Sequence, residues 1–251
     1  MQPVVAAPPS SSCTPLLSVV IPFFNEAESA GKLLDELRGT LEQLEIPAEI
    51  LAVNDGSHDA TGAELERVAR NWTAVRVLHL PRNRGQATAL WQGFLQARGA
   101  WIAMLDGDGQ NPPAELNRLW ALRTTADMIV GVRANRQDST LRRAMSRVAN
   151  TVRGTLLGDG ITDSGCSLKI FRREVARSFV PIRTLYSFLP AFAVAAGWTV
   201  REVPVTHRPR QAGVSKYGLR VMAIHPLLDL LALCWLLRRA IRQNQNNAPG
   251  G

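Results

Sequence analysis

Four short apolar runs constrain this chain most, each broken off at a polar or glycine-bearing turn and each followed by a segment with helical spacing. Leu17–Pro22, Glu49–Val53, Val75–Leu80 and Trp101–Leu105 read as buried strands. Between them, apolar residues recur at three- and four-residue steps, as at Leu33, Leu34, Leu37, Leu41 and Leu44. This spacing predicts helices over Asn25–Leu44, Asp59–Asn71 and Gly85–Arg98, with Asn25 and Asp59 as candidate caps. Strands alternating with helices at this period form βαβ units and a mostly parallel sheet, covered by helices on both faces. Ligands of such α/β sheets bind beyond the carboxyl ends of the strands, where these turns lie.

The pattern continues, less regularly, to about residue 220. It predicts a helix over Ala114–Leu122, a strand over Asp127–Val132, a basic helix over Ser139–Leu157 and a strand over Ser167–Phe171. An apolar helix over Ser187–Ala196 and a strand over Thr199–Val205 follow, then a polar, flexible stretch from His207 to Gly218. The expected organisation is a flexible segment over 1–15, one α/β domain over 16–220, an amphipathic helix over 221–242 and a disordered tail over 243–251. The first fifteen residues hold no Lys or Arg and meet proline before any apolar run develops, so no secretory signal is expected there. Cys13, Cys166 and Cys234 have no paired spacing, which argues against a zinc site or disulfide framework and fits a reducing cytosolic setting.

The net charge of +8 is unevenly spread. Residues 16–132 carry −5, residues 133–220 carry +11 and the remainder +2. An acidic half joined to a basic one suggests a cation site beside an anion-binding surface. Low aromatic content and the lack of any recognition module argue against nucleic acid as the partner of the basic half.

The chemistry centres on Asp106-Gly107-Asp108 with Gln110. Two carboxylates two residues apart, in a tight turn after a strand, can converge on one hard cation that still has room for phosphate oxygens and water. Asn54-Asp55-Gly56-Ser57 ends a second strand, where a carboxylate can meet a nucleobase or ribose, or else serve an Asx-type turn. Pro22-Phe23-Phe24-Asn25-Glu26 ends a third. Cys166 reads as a small buried residue rather than a nucleophile, and His79, His207 and His225 read as structural.

Segments 18–29 (SVVIPFFNEAES), 53–61 (VNDGSHDAT), 83–99, 104–116 (MLDGDGQNPPAEL), 162–173 (TDSGCSLKIFRR) and 210–218 (RQAGVSKYG) together resemble the family 2 glycosyltransferases of GT-A fold. Within that family the likeness is to the dolichyl- and polyprenyl-phosphate group, with Phe24 where Tyr is common and Asn54 where many members have a second Asp. The resemblance implies that Pro22, Phe24, Glu26, Val53, Asp55 and Gly107 contact the nucleotide. It implies that Asp106, Asp108 and Gln110 hold Mg²⁺ or Mn²⁺ on the diphosphate. Arg133 and Arg142 would bind the acceptor phosphate, with Asp163 orienting them or serving as a structural cap. Arg210, Ser215 and Lys216 would belong to a loop closing over the donor.

A phosphate acceptor also suits the residues present. A phosphate monoester with a second pKa of about 6 is anionic near neutrality and needs cationic positioning rather than a general base. The basic half supplies arginine and lacks the Glu-Asp pair and Q-x-x-R-W motif of members that act on hydroxyls. The expected reaction is inverting transfer of mannose, glucose or a related sugar from a GDP- or UDP-linked donor to a polyprenyl phosphate, in cell-envelope glycan or glycolipid synthesis. Transfer to a saccharide hydroxyl, or a non-catalytic nucleotide-sugar-binding subunit, are the alternatives. Val221–Leu237 is interrupted by Pro226 and Asp229 and is short for a membrane span. It is expected to lie peripherally on the cytoplasmic face of the membrane, with Arg238, Arg239 and Arg242 near anionic headgroups. Packing on the enzyme's own core or on a membrane subunit is the alternative.

Overall fold

A computed structural model of the chain describes residues 14–134, 153–208 and 228–235. Seven strands form one sheet in the order β3-β2-β1-β4-β6-β5-β7. They are β1 (Leu17–Phe23), β2 (Ala48–Asn54), β3 (Val75–His79), β4 (Trp101–Met104), β5 (Met128–Arg133), β6 (Lys169–Arg172) and β7 (Val200–Val205). Strands β3, β2, β1 and β4 run parallel, as do β5 and β7, while β6 lies antiparallel between β4 and β5. The sheet is the expected mostly parallel one, with a single reversed strand.

Helices α1 (Ala27–Leu44), α2 (Thr61–Asn71), α3 (Gln86–Gln96) and α4 (Glu115–Ala121) follow the first four strands. Helix α5 (Leu185–Ala195) precedes β7. Alternate residues of each central strand enter different cores. Val19 and Ile21 pack beneath α1, beside Leu33, Leu34 and Leu37. Val20 points the other way, among Leu90 and Phe94 of α3 and Phe188 and Leu189 of α5. Burial on both faces is why these strands read as nearly unbroken apolar runs.

Neither candidate cap residue occupies the cap position of its helix. Asn25 is not the cap of α1, whose cap position is Glu26, without a side-chain cap bond. Asn25 takes a left-handed φ of 53° and its Oδ1 instead accepts from the His58 amide at 2.9 Å. Asp59 likewise lies one residue before the cap position of α2, Ala60, and its Oδ1 accepts from the Thr61 amide at 3.0 Å.

Residues 228–235 are helical. Leu230 and Leu233 are buried in the core shared with α3 and α5. The Asp229 carboxylate accepts from the Thr184 amide at 3.0 Å and its hydroxyl at 2.6 Å, at the cap position of α5. Leu228, Leu231 and Trp235 are more than half exposed, at 56%, 55% and 61%. Among the described residues, no helix is long and apolar enough to cross a membrane. Most of the expected basic helix and most of the polar stretch after His207 lie outside the described residues.

At the amino-terminal ends of the strands, Glu49 accepts from Ser18 Oγ at 2.7 Å, from the Arg98 amide at 2.7 Å and from Arg76 at 2.8 Å. Removing a buried partner leaves donors unpaired, at a cost of about 3 kcal/mol. Glu49→Ala is therefore expected to lower the urea midpoint by that equivalent. The polar turns, which lie at the opposite ends of the strands, should be left undisturbed in the folded fraction.

Candidate active site

The carboxyl ends of β1, β2 and β4 lie side by side, because Phe23 pairs with Asn54 and Val20 with Met104. Each strand end delivers its own polar group to this edge. Beyond β4, the turn Asp106–Gln110 folds back against β1. A Cβ on Gly107 would stand 2.6 Å from the Pro22 carbonyl oxygen and 2.7 Å from the Phe23 ring, so the turn can approach only with glycine there. Ser29, in the first turn of α1, holds the same junction by donating to the Gly107 carbonyl at 3.1 Å and to the Glu26 carboxylate at 3.1 Å.

Asp106 retains some solvent contact, whereas Asp108 is buried. Desolvation, and then the neighbouring Asp108 charge, push the Asp106 carboxyl up to about 6. Hydrogen bonding from Ser167 and the positive charges of Lys169 and Arg133 oppose the rise. Asp106 Oδ1 also accepts from Gln86 Nε2 at 2.5 Å. A carboxylate whose proton affinity is raised by desolvation and by a neighbouring carboxylate is an arrangement that a divalent cation relieves. Among the described residues, no group of three or more His, Cys, Asp or Glu converges on a metal position. A hard ion held by Asp106 and Asp108 would have to take its remaining oxygens from other groups, such as a substrate and water.

Lys169 is fully buried behind this turn. Its Nζ donates to the carbonyls of Cys166 and Ser164. Burial pulls it down to about 8, against the opposing pull of Cys166, Asp106 and Asp163. Asn111 extends the support by donating to Ser167 Oγ at 2.5 Å. Burial pushes the Cys166 thiol up, in keeping with its reading as a small buried residue.

Asp55, buried at the end of β2, accepts from the Arg84 and Gly85 amides, each at 2.9 Å, and from Asn83 Nδ2 at 3.1 Å. It thus holds the chain just ahead of α3, at Gly85 in the cap position and at Arg84 before it. Burial raises its pKa, and the two amides partly offset the rise. Phe24 lies edge-on to His58, with 6.2 Å between ring centroids. Val53 is fully buried beneath α3, so its side chain belongs to the core rather than to the open edge. His79 is held between Asn54 at 3.0 Å and Glu66 at 2.9 Å, the structural use expected of it.

Across the reversed strand, Arg133 ends β5 with its guanidinium gripped by Asp163. Nε lies 2.8 Å from Oδ2 and an Nη lies 2.6 Å from Oδ1, while the Arg133 amide donates to Oδ2 at 3.1 Å. Arg142, Arg210, Ser215 and Lys216 lie outside the described residues. Gln86, Asn111, Ser167 and Lys169 were not among the expected site residues. The signal for Gln86 is its place at the start of the helix that follows β3. A lysine between Leu168 and Ile170 carries no such mark.

The family model for glycosyl transferase family 2 matches residues 18–179. The chain belongs to that family. A dodecaprenyl-phosphate galacturonate synthase from Rhizobium johnstonii is 36% identical over 232 residues, covering 90% of this chain and 68% of the relative. An undecaprenyl-phosphate 4-deoxy-4-formamido-L-arabinose transferase from Serratia proteamaculans is 37% identical over 217 residues, covering 86% and 66%. The chain thus spans about two thirds of the length of these curated relatives. Among solved structures, glucosyl-3-phosphoglycerate synthase from Mycobacterium tuberculosis with Mg²⁺ and UDP superposes with a TM-score of 0.67 at 18% identity, covering 92% of this chain and 81% of that one. The same enzyme with Mn²⁺, UDP and glucosyl-3-phosphoglycerate gives 0.65 at 16% identity, covering 92% and 82%. At these identities the likeness establishes the GT-A fold.

In this family 2 glycosyltransferase the raised Asp106 has a measurable consequence. Its folded value, about 6, lies above the ordinary 3.8, so the folded state holds the proton more tightly than the unfolded chain does. Asp106 therefore contributes stability at low pH, and this is lost as pH rises from about 4 to about 6. In metal-free buffer the thermal midpoint should fall across that window, and Asp106→Asn should flatten the fall. An undiminished slope in the variant would place the perturbed carboxyl elsewhere.

Proposed function

We propose that this glycosyltransferase moves a sugar from a nucleotide-diphosphate donor, GDP- or UDP-linked, onto a polyprenyl phosphate, with inversion, in cell-envelope glycan synthesis. The observation that carries this reading is the Arg133–Asp163 pair across the reversed strand from the acidic turn. It fixes a planar guanidinium, the group suited to bidentate recognition of phosphate. The two relatives reported above are named for polyprenyl-phosphate products or acceptors and are similar over 86–90% of this chain, which supports the same acceptor class.

The carboxylates around the edge support a reaction without a protein base. Asp55 is committed to the start of α3, Asp59 to α2 and Asp163 to Arg133. An acceptor phosphate is already ionised near neutrality and needs only to be held in line with the anomeric carbon. Asp106, Asp108 and Gln110 would hold Mg²⁺ or Mn²⁺ against the donor diphosphate. When bound, the ion would stabilise charge developing on the leaving group. Arg133 would orient the attacking oxygen, with Asp163 setting its direction. Glu26, Phe24 and the strand end at Asp55 would receive the nucleoside. Arg142, Arg210, Ser215 and Lys216 complete the reading as acceptor and donor-closure residues.

The direct test supplies radiolabelled GDP- and UDP-sugars with undecaprenyl phosphate and Mn²⁺. Label is expected in the organic phase with at least one donor. Label that enters only a saccharide acceptor would overturn the proposal. Arg133→Ala should raise the KM for the lipid phosphate by about tenfold or more, the scale of losing one charged phosphate contact, with little change in donor KM.

The acceptor's prenyl chain keeps it in the bilayer, so the enzyme works at a surface. We place residues 228–235 there, peripherally on the cytoplasmic leaflet. Leu228, Leu231 and Trp235 recur at the spacing of one helix face, and Leu230 and Leu233 anchor the opposite face to the core. Arg238, Arg239 and Arg242 follow in sequence, suited to anionic headgroups. Replacing Leu228, Leu231 and Trp235 together by serine should abolish co-sedimentation with anionic vesicles. Turnover of a short-chain, water-soluble polyprenyl phosphate should be retained. Undiminished sedimentation would show that this face is not the contact.

A further inference from the structure

Asp55 and Asp106 stand at the ends of β2 and β4, with β1 between them, and one short segment touches both. Asn83, Arg84 and Gly85 donate three hydrogen bonds to Asp55, and the next residue, Gln86, donates to Asp106 Oδ1 at 2.5 Å. Gly85 makes the step possible. Its φ of 89° turns the chain from the strap around Asp55 into α3, a conformation that side-chain-bearing residues rarely adopt. Gln86 is then the first residue of α3 and directly follows the two residues whose amides Asp55 holds. Ser167, itself held by Asn111, also hydrogen-bonds to Asp106.

From this geometry we infer that Gln86 is a positioning residue for the metal carboxylate Asp106, and that the Asn83–Gln86 strap couples Asp55 to that carboxylate through the start of α3. The inference rests on the metal reading of the preceding section. A neutral amide suits this place, because it donates to the carboxylate without competing for the cation. Partners of this kind, which orient a ligand carboxylate from behind, typically change metal affinity about 10–100-fold when removed. The link to Asp55 adds a second property. Disturbing Asp55 should loosen the chain that enters α3, and the Asp106 carboxylate should feel this only through the Gln86 amide. Two sites coupled through one element show a non-additive response when both are altered.

The experiment measures Mn²⁺ binding to the full chain by calorimetry, without nucleotide, in a double-mutant cycle. Gln86→Met keeps the side-chain length and removes the donor. It is expected to weaken Mn²⁺ binding about tenfold. Asp55→Asn, which the metal does not touch, should weaken it several-fold when Gln86 is present and by less than about twofold in the Gln86→Met background. Thermal midpoints of the metal-free variants identify any that fail to fold, and Gln86→Leu then replaces the methionine variant. Equal Mn²⁺ affinity in Gln86→Met and the unaltered protein overturns the positioning role. An Asp55→Asn effect of the same size in both backgrounds overturns the coupling. Absence of Mn²⁺ binding by the unaltered protein overturns the metal reading itself, and this proposal with it.

Discussion

Burial of the central strands on both faces is the constraint from which the rest of this molecule follows. With α1, α2 and α4 on one side and α3 and α5 on the other, a charged side chain within β1, β2 or β4 has no solvent to face. Charge is pushed to the strand ends. At the amino ends it is consumed structurally, by Glu49, Ser18 and Arg76. At the carboxyl ends the turns are free to vary, and the parallel register brings three of them to one level. A binding site at that edge is therefore a consequence of how a doubly covered parallel sheet disposes of its polar residues.

That logic is also why so much was legible in the residues alone. The apolar runs and their polar stops locate β1 to β5 within a residue or two, because a doubly buried strand must be apolar along its length and must end where polarity begins. The carboxylates at 55, 106 and 108 stand out for the same reason. What escaped notice depends on direction and on distant contacts. Periodicity says that residues near Lys169 form a strand, but not that the strand runs antiparallel between β4 and β5. Asn25 has the chemistry of a cap and sits one residue early, where a left-handed backbone lets it serve the His58 amide instead. Val53 adjoins the site in sequence and points into the core, since side chains alternate along a strand and Asp55 lies beyond its end.

The antiparallel strand has an electrostatic consequence. Because β6 is inserted between β4 and β5, Lys169 comes to lie behind the acidic turn, and the loop that carries Asp163 and Ser167 reaches the same edge. The acidic and basic halves of the chain meet here. Desolvation alone would force Asp106 toward its neutral form. Lys169, Arg133 and the Ser167 hydroxyl pull it back toward the charged form that a cation needs. Lys169 is itself pulled down to about 8 by burial, yet stays mainly protonated at neutrality, with two carbonyls accepting from it.

The Arg133–Asp163 pair fits this balance for a reason of geometry. A partly buried ion pair contributes modestly to stability, because desolvation offsets most of the attraction. Its effect on orientation is larger. Three donors of Arg133, two from the guanidinium and one from the backbone, converge on a single carboxylate, so the plane of the guanidinium is fixed with respect to β5. A lysine at this position could satisfy the charge but would swing on its flexible stem. For an acceptor that brings its own negative charge, the task left to the protein is direction. In the proposed reaction, an arginine held by its own carboxylate would supply direction before the acceptor arrives, and so would reduce the reorganisation required at the moment of transfer.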